Sequence, residues 1–278
     1  VGLHPSLRGF ADLLEAEKLS IVQGVGYPNP NRSHFESMDI WHTAQQQLPA
    51  RPSGWLGRGL DAAAVAGGDL PALHLGGEQQ PLALASRDVP VPSLASLDGF
   101  RLQTGGDESL RSTIVAAASA PRKPSSELLD FLQANTTSAL AAAERIERAR
   151  KESSTAVRYP DTRLAGKLRS VSQLIGAGLK TRVYYAAMDG FDTHSNQREA
   201  HAALLSELGG AVSAFLEDVA GAGHGQRVMV MTFSEFGRRV KENASRGTDH
   251  GAAAPMFLAG ERVRAGLVGK HPSLSDLD

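Results

Sequence analysis

Between Arg227 and Phe233 the chain reads RVMVMTF. An apolar run with no alternation suits a strand covered on both faces, the position of a central strand in a parallel sheet. That demand constrains the fold more than any other stretch, because other elements must lie on both sides of it. The neighbouring segments fit. RVYYAAM (Arg182 to Met188) reads as a strand, and the polar loop DGFDTHSNQ follows it. Helical spacing then runs from about residue 199 to 219, with Leu204, Leu208, Val212, Phe215 and Val219 on one face. GAGHGQ turns the chain into RVMVMTF, and after a further polar loop APMFLAG reads as another strand. This succession predicts an α/β fold with a largely parallel sheet.

The first two thirds are less regular. LSIVQGVG (Leu19 to Gly26) reads as a short buried strand entering a loop, YPNPNR, whose Pro and Asn residues extend neither strand nor helix. Ser33 then suits a helix N-cap, and Glu36 three residues on completes a capping box. PALHLGG and QPLALAS read as short strands, Ser125 to Lys151 as a helix exposed on one side, and Thr162 to Gly178 as a helix stopped by Gly176 and Gly178. The chain has 278 residues. We expect one α/β domain over 1–278, with 61–165 a less regular, partly helical insert. The first residue, Val1, and the turn-like end HPSLSDLD read as cut termini.

Bulk properties narrow the chemistry. A net charge of −1 gives no electrostatic case for nucleic acid or an anionic membrane. No apolar run approaches the roughly 20 residues that a membrane helix needs. There are no cysteines, so disulfides and thiolate metal sites are excluded, and a metal here must take His and carboxylate ligands.

The polar residues of interest follow the apolar strands. Ser33 and His34 come after Leu19–Gly26, Asp192 and His194 after Arg182–Met188, and Ser234 and Glu235 after Arg227–Phe233. Asp249 and His250 stand between glycines just before APMFLAG. In open α/β sheets ligands bind at the carboxyl ends of strands, so these loops are expected to converge on one edge. Converging carboxylates repel, and a divalent cation relieves that. His with Asp or Glu suits zinc, manganese, magnesium or calcium. A helix beginning at Ser33 would aim backbone N–H groups at an anion. The guanidinium of Arg238 or Arg239 matches the oxygens of such an anion. Each residue also has a plain structural reading: Ser33 as a simple N-cap, Asp192 and His194 as a loop turn, Asp249–His250 as a turn, Glu235 as a helix-turn partner of Arg238 or Arg239, and both arginines on a solvated helix face.

The segments GLHPSL, LSIVQGVGYPNPNRSHFESMDIW, GWLGR, GFDTHSNQ, TFSEFGRRVKENASRGTDHG and PMFLAG together resemble a bacterial family, domain of unknown function 1501. That family looks like a remote branch of the alkaline phosphatase and sulfatase superfamily. The resemblance implies a three-layer α/β/α sandwich with a largely parallel central sheet and a metal centre. It implies Ser33 as nucleophile, with His34 beside it, and Asp192, His194 and His250 as metal ligands, with Asp249 or Glu235 as a further one. SEFG stands where the superfamily carries Asp–His–Gly, so Glu235 takes the Asp position and Phe236, which cannot ligate, takes the His position. An opening segment rich in Gly, Asn and Asp would precede Val1. Export by the twin-arginine route, and hence a periplasmic or secreted protein, is also implied.

The expected activity is therefore metal-dependent hydrolysis of a phosphate or sulfate ester, on a small molecule or a polysaccharide. One alternative is a catalytically degenerate exported protein that binds a polysaccharide or an envelope partner. Another is a mutase-like phosphotransferase.

Overall fold

The computed structural model describes residues 2–47, 53–63, 70–97, 107–119, 136, 137, 140, 141, 143, 144, 146, 147 and 155–275. The chain divides into two compact units. One comprises Val1–Pro49, Thr155–Arg169 and Ala187–Asp278, and the other Ala50–Ser154 and Ser170–Ala186. Helices and small mixed sheets make it a mixed α/β protein. Among the described residues no helix is long and apolar enough to cross a membrane.

The first unit begins with a short 3-10 turn, Pro5–Leu7, and α1, Arg8–Glu15. Strand β1, Leu19–Gly26, and helix α2, His34–Thr43, follow. Its sheet is four-stranded, in the order β5-β8-β1-β9, with β5 at Val230–Met231, β8 at Ala253–Ala259 and β9 at Gly266–Val268. Strand β8 runs antiparallel to both β1 and β5, and only β1 and β9 are parallel. The register shifts between Val22 and Val25, where Gly24 adopts φ +66, a left-handed conformation that glycine takes without a Cβ clash.

Phe10, fully buried on α1, meets Phe257 of β8 edge to face at 4.9 Å and so ties helix to sheet. Truncating a buried phenylalanine of this kind costs about 3–5 kcal/mol. The long helix α6, Gln197–Gly221, buries Val212, Phe215 and Val219 as its spacing predicts, and leaves Leu204 and Leu208 half-buried. It lies close to α1: a Cβ on Gly9 would fall 2.8 Å from the Gly209 carbonyl oxygen.

The second unit holds α3, Trp55–Ala62, a parallel sheet in the order β3-β2-β4, and α4, Glu108–Ser119. Its strands are β2, Ala72–Leu75, β3, Ser93–Leu94, and β4, Val183–Ala186. Leu60, Ala72 and Leu84 form the centre of its core, packed by Leu56, Val89, Val91, Val183 and Tyr185. Helix α5, Arg163–Gly176, has its residues divided between the two units. It ends before Gly178 at φ +79, as the glycines there predict.

Several sequence expectations need correction. RVMVMTF is not a central parallel strand: Val230 and Met231 form the ladder pairs, antiparallel to β8 at the sheet edge, Thr232 adds bonds to Phe257, and Met229 is 62% exposed. An apolar run reports affinity for cover, not which neighbour supplies it. QPLALAS is a 3-10 turn at Leu82–Leu84, because Pro81 starts it and Ala85 turns its carbonyl to the amide of Gly54. The segment after Phe233 is not helical. It forms a hairpin of β6, Gly237–Glu242, and β7, Thr248–Gly251. Asp249 and His250 therefore lie on a strand. The predicted capping box is also absent. Asn31 displaces it, its Oδ1 accepting from the Ser33 amide at 2.8 Å and its Nδ2 donating to Glu36. The predicted helix Ser125 to Lys151 falls mostly outside the described residues; those described within it, between 136 and 147, are helical.

Candidate metal centre

The centre belongs to the first unit and draws on three separated stretches of chain. His34 is the first residue of α2. The loop before it is fixed by Tyr27, whose hydroxyl accepts from the Asn31 amide and donates to Ser37 Oγ, both at 2.9 Å. Ser37, fully buried one helical turn after His34, donates in turn to the Glu235 carbonyl at 3.3 Å. Residues three apart on a helix share a face, so the bond that seats Ser37 also aims His34.

The hairpin supplies His250. In its register Arg238 stands directly opposite His250, and facing residues of paired strands project to the same side. Arg238 donates to three groups: the Thr248 carbonyl at 2.7 Å, the Phe191 carbonyl, and Asp192 Oδ1 at 3.4 Å. It thus brackets the loop carrying Asp192 against the strand carrying His250.

Asp192 is the hub. Its Oδ1 lies 2.7 Å from His194 Nε2 and 2.8 Å from His250 Nε2, and its Oδ2 lies 3.1 Å from His34 Nε2. The two nitrogens of His194 and His250 are themselves 3.0 Å apart. Donor atoms of His34, Asp192 and His250 all fall within 4.8 Å of one another. On the far side of the His34 ring, Nδ1 meets Glu235 Oε1 at 2.8 Å. A carboxylate there fixes the orientation of the His34 ring, with Nε2 facing Asp192.

Phe236 closes one wall. Its ring stacks on His250 at 4.1 Å with a 13° interplanar angle, and meets His34 edge-on at 5.0 Å. His250 is 13% exposed, against 48% for Asp192, so the cluster opens to solvent on the aspartate side. Partial burial works against the charged Asp192 carboxylate. The His250 hydrogen bond and the neighbouring His194, His34 and His250 rings outweigh it and hold the carboxyl below its ordinary range.

Of the residues singled out from sequence, the structure brings together His34, Asp192, His194, His250 and, behind His34, Glu235. Asp249 is exposed on the other face of β7, 3.7 Å from His194 Nδ1, since successive strand residues alternate. Ser33 is exposed at the α2 N-terminus, its hydroxyl making no cap to the helix. Arg239 is exposed beyond the cluster. Sequence reasoning left Phe236 as a non-ligand with no packing role, and assigned nothing to Asn243, which fastens the His194 loop. The Asn–x–x–x–Gly spacing of a hairpin tip was the signal available for Asn243.

The His34, Asp192 and His250 donors could hold a divalent cation. Asp192 Oδ1, His194 Nε2 and His250 Nε2, separated by 2.7, 2.8 and 3.0 Å, lie nearer the roughly 3 Å donor spacing of an octahedral ion than the roughly 3.4 Å of a tetrahedral one.

A mixed α/β protein with a compact cluster of histidines around one carboxylate is the class that the fold and site define. Residues 20–277 match the family described as "Protein of unknown function (DUF1501)". The chain belongs to that family. No curated protein and no solved structure matches it.

Proposed function

We propose that this chain is a metal-dependent hydrolase of phosphate or sulfate esters. The observation that carries this is the meeting of His34, Asp192, His194 and His250 around Asp192 Oδ1 and Oδ2. These four residues would hold a divalent cation of the zinc, manganese, magnesium or calcium kind. Such an ion lowers the pKa of a coordinated hydroxyl and stabilises charge on a phosphoryl or sulfuryl oxygen. The chain's own parts do the rest. The first turn of α2 presents backbone N–H groups to an anion. The Ser33 hydroxyl, not spent on a cap, attacks the phosphorus or sulfur centre; the ester alkoxide leaves, and water then frees the serine. Glu235 fixes the His34 ring, and Arg238 holds the Asp192 loop. On this reading the fold is a three-layer α/β/α sandwich of the alkaline phosphatase and sulfatase kind, and the protein works in the periplasm or outside the cell.

A second reading rests on Phe236. A ring that cannot ligate stacks on His250, which favours a single ion and a degenerate centre that binds a polysaccharide or an envelope partner. Two measurements separate the readings. Metal analysis of the purified protein is expected to find a stoichiometric divalent ion, lost in Asp192→Asn. Aryl phosphates and aryl sulfates are expected to turn over, with the rate abolished by Ser33→Ala. A retained ion with no turnover on either panel would refute hydrolysis and leave the binding reading.

A further inference from the structure

The tip of the β6–β7 hairpin, Asn243 to Gly247, sits against the loop that carries His194. Asn243 makes four side-chain hydrogen bonds. Its Nδ2 donates to the His194 carbonyl at 3.0 Å and to Asp249 Oδ1 at 3.3 Å. Its Oδ1 accepts from the Ser245 and Gly247 amides, both at 3.0 Å. A carboxamide offers two donor hydrogens and two acceptor lone pairs, so the group is saturated. No other side chain of that size supplies both: aspartate cannot donate, and serine is too short to span the tip and the loop together.

The tip reinforces this contact. The Asn196 amide donates to the Ser245 carbonyl at 3.0 Å and the Gln197 amide to the Arg246 carbonyl at 2.9 Å. The Thr248 hydroxyl donates to Gln197 Oε1 at 3.0 Å. Arg246 adopts φ +60, a left-handed conformation costly for a residue with a Cβ, and the tip holds it there. Gly247 is pressed so near that a Cβ would lie 2.2 Å from the His194 carbonyl carbon.

We infer that Asn243 is a positioning residue for the metal centre: it locks the His194 backbone to the hairpin that carries His250, and so sets the spacing of the two ring nitrogens. This rests on the metal-centre reading above. The strand from Thr248 to Gly251 begins one residue after the tip, so a bond to the His194 carbonyl at one end and His250 at the other spans both ligands. Outer partners of this kind change metal affinity about 10–100-fold when removed.

The test is a double-mutant cycle on the full chain, read by cobalt(II) titration and the visible absorption of the bound ion. Asn243→Asp keeps the local acceptor and removes both donations. It is expected to weaken cobalt about 10–100-fold and to shift the absorption bands toward those of His194→Ala. In the His194→Ala background, Asn243→Asp is expected to add almost nothing, because residues acting through one another are non-additive. If Asn243→Asp does not fold, Asn243→Ser runs the same cycle. Equal losses in both backgrounds would overturn the inference and leave the metal centre standing. A wild-type chain that takes up no cobalt would overturn both.

Discussion

Gly247→Ala places a methyl group 2.2 Å from the His194 carbonyl carbon, 2.3 Å from its oxygen and 2.6 Å from the Ser195 nitrogen. All three are backbone atoms, so no side-chain rotation relieves the clash. Ordinary contact begins near 3.4 Å. The His194 backbone and the hairpin tip must therefore separate by about 1.2 Å, whereas metal–ligand distances hold to about 0.2 Å. Two effects follow. Overpacking of this kind costs about 1–3 kcal/mol, a fall in Tm of about 2–12 °C. Displacing His194 also weakens cobalt or zinc about 10–100-fold, or about 1.4–2.8 kcal/mol. Thermal melts and calorimetric titration read the two separately. Gly221→Ala is the control, since nothing lies within 4 Å of a Cβ there at the end of α6; it is expected to be neutral or slightly stabilising. A Gly247→Ala protein with unchanged Tm and unchanged affinity would refute the seating of the tip on the His194 loop.

Stability is expected to fall as pH drops below about 6.5. Burial holds His42 below its ordinary value of 6.5, against the opposing charges of Asp39 and Glu235, so its contribution is full above 6.5 and is lost as the unfolded chain takes up the proton. Each such group adds a slope of at most about 1.4 kcal/mol per pH unit, and denaturant melts of His42→Gln at pH 5.5 and 7.5 should show a flatter dependence; an unchanged slope would count against it. Phe236→Ala removes the ring stacked on His250 and is expected to cost about 1–3 kcal/mol and to loosen metal binding; a variant with wild-type affinity would make that ring a bystander.

Much of the local structure was legible in the residues themselves. The strand at Leu19–Gly26, the helix start at Ser33, the strand at Ala72–Leu75 and the helices Arg163–Gly176 and Gln197–Gly221 all follow from periodicity and punctuation within a few residues. The donors were legible too, because a chain without cysteine leaves only His and carboxylate, and His34, Asp192 and His194 follow apolar segments while His250 precedes one. The β6–β7 hairpin was not. GRRVKENASRGTDHG carries charges throughout, and its pairing is set by contact with the His194 loop rather than by any alternation of its own.

By itself, then, the sequence determined several of the helices and strands and the kinds of side chain that could hold a cation, since both depend on residues near one another in the chain. The tertiary structure alone decided that RVMVMTF sits at a sheet edge beside β8, that Asp249 lies behind the His194 ring while His250 meets Asp192, and that Phe236 stacks on His250 and Asn243 bonds the His194 carbonyl. Those choices turn on pairing and packing between residues as much as two hundred positions apart, such as His34 and Glu235, and hydrogen bonds over that span leave no local trace.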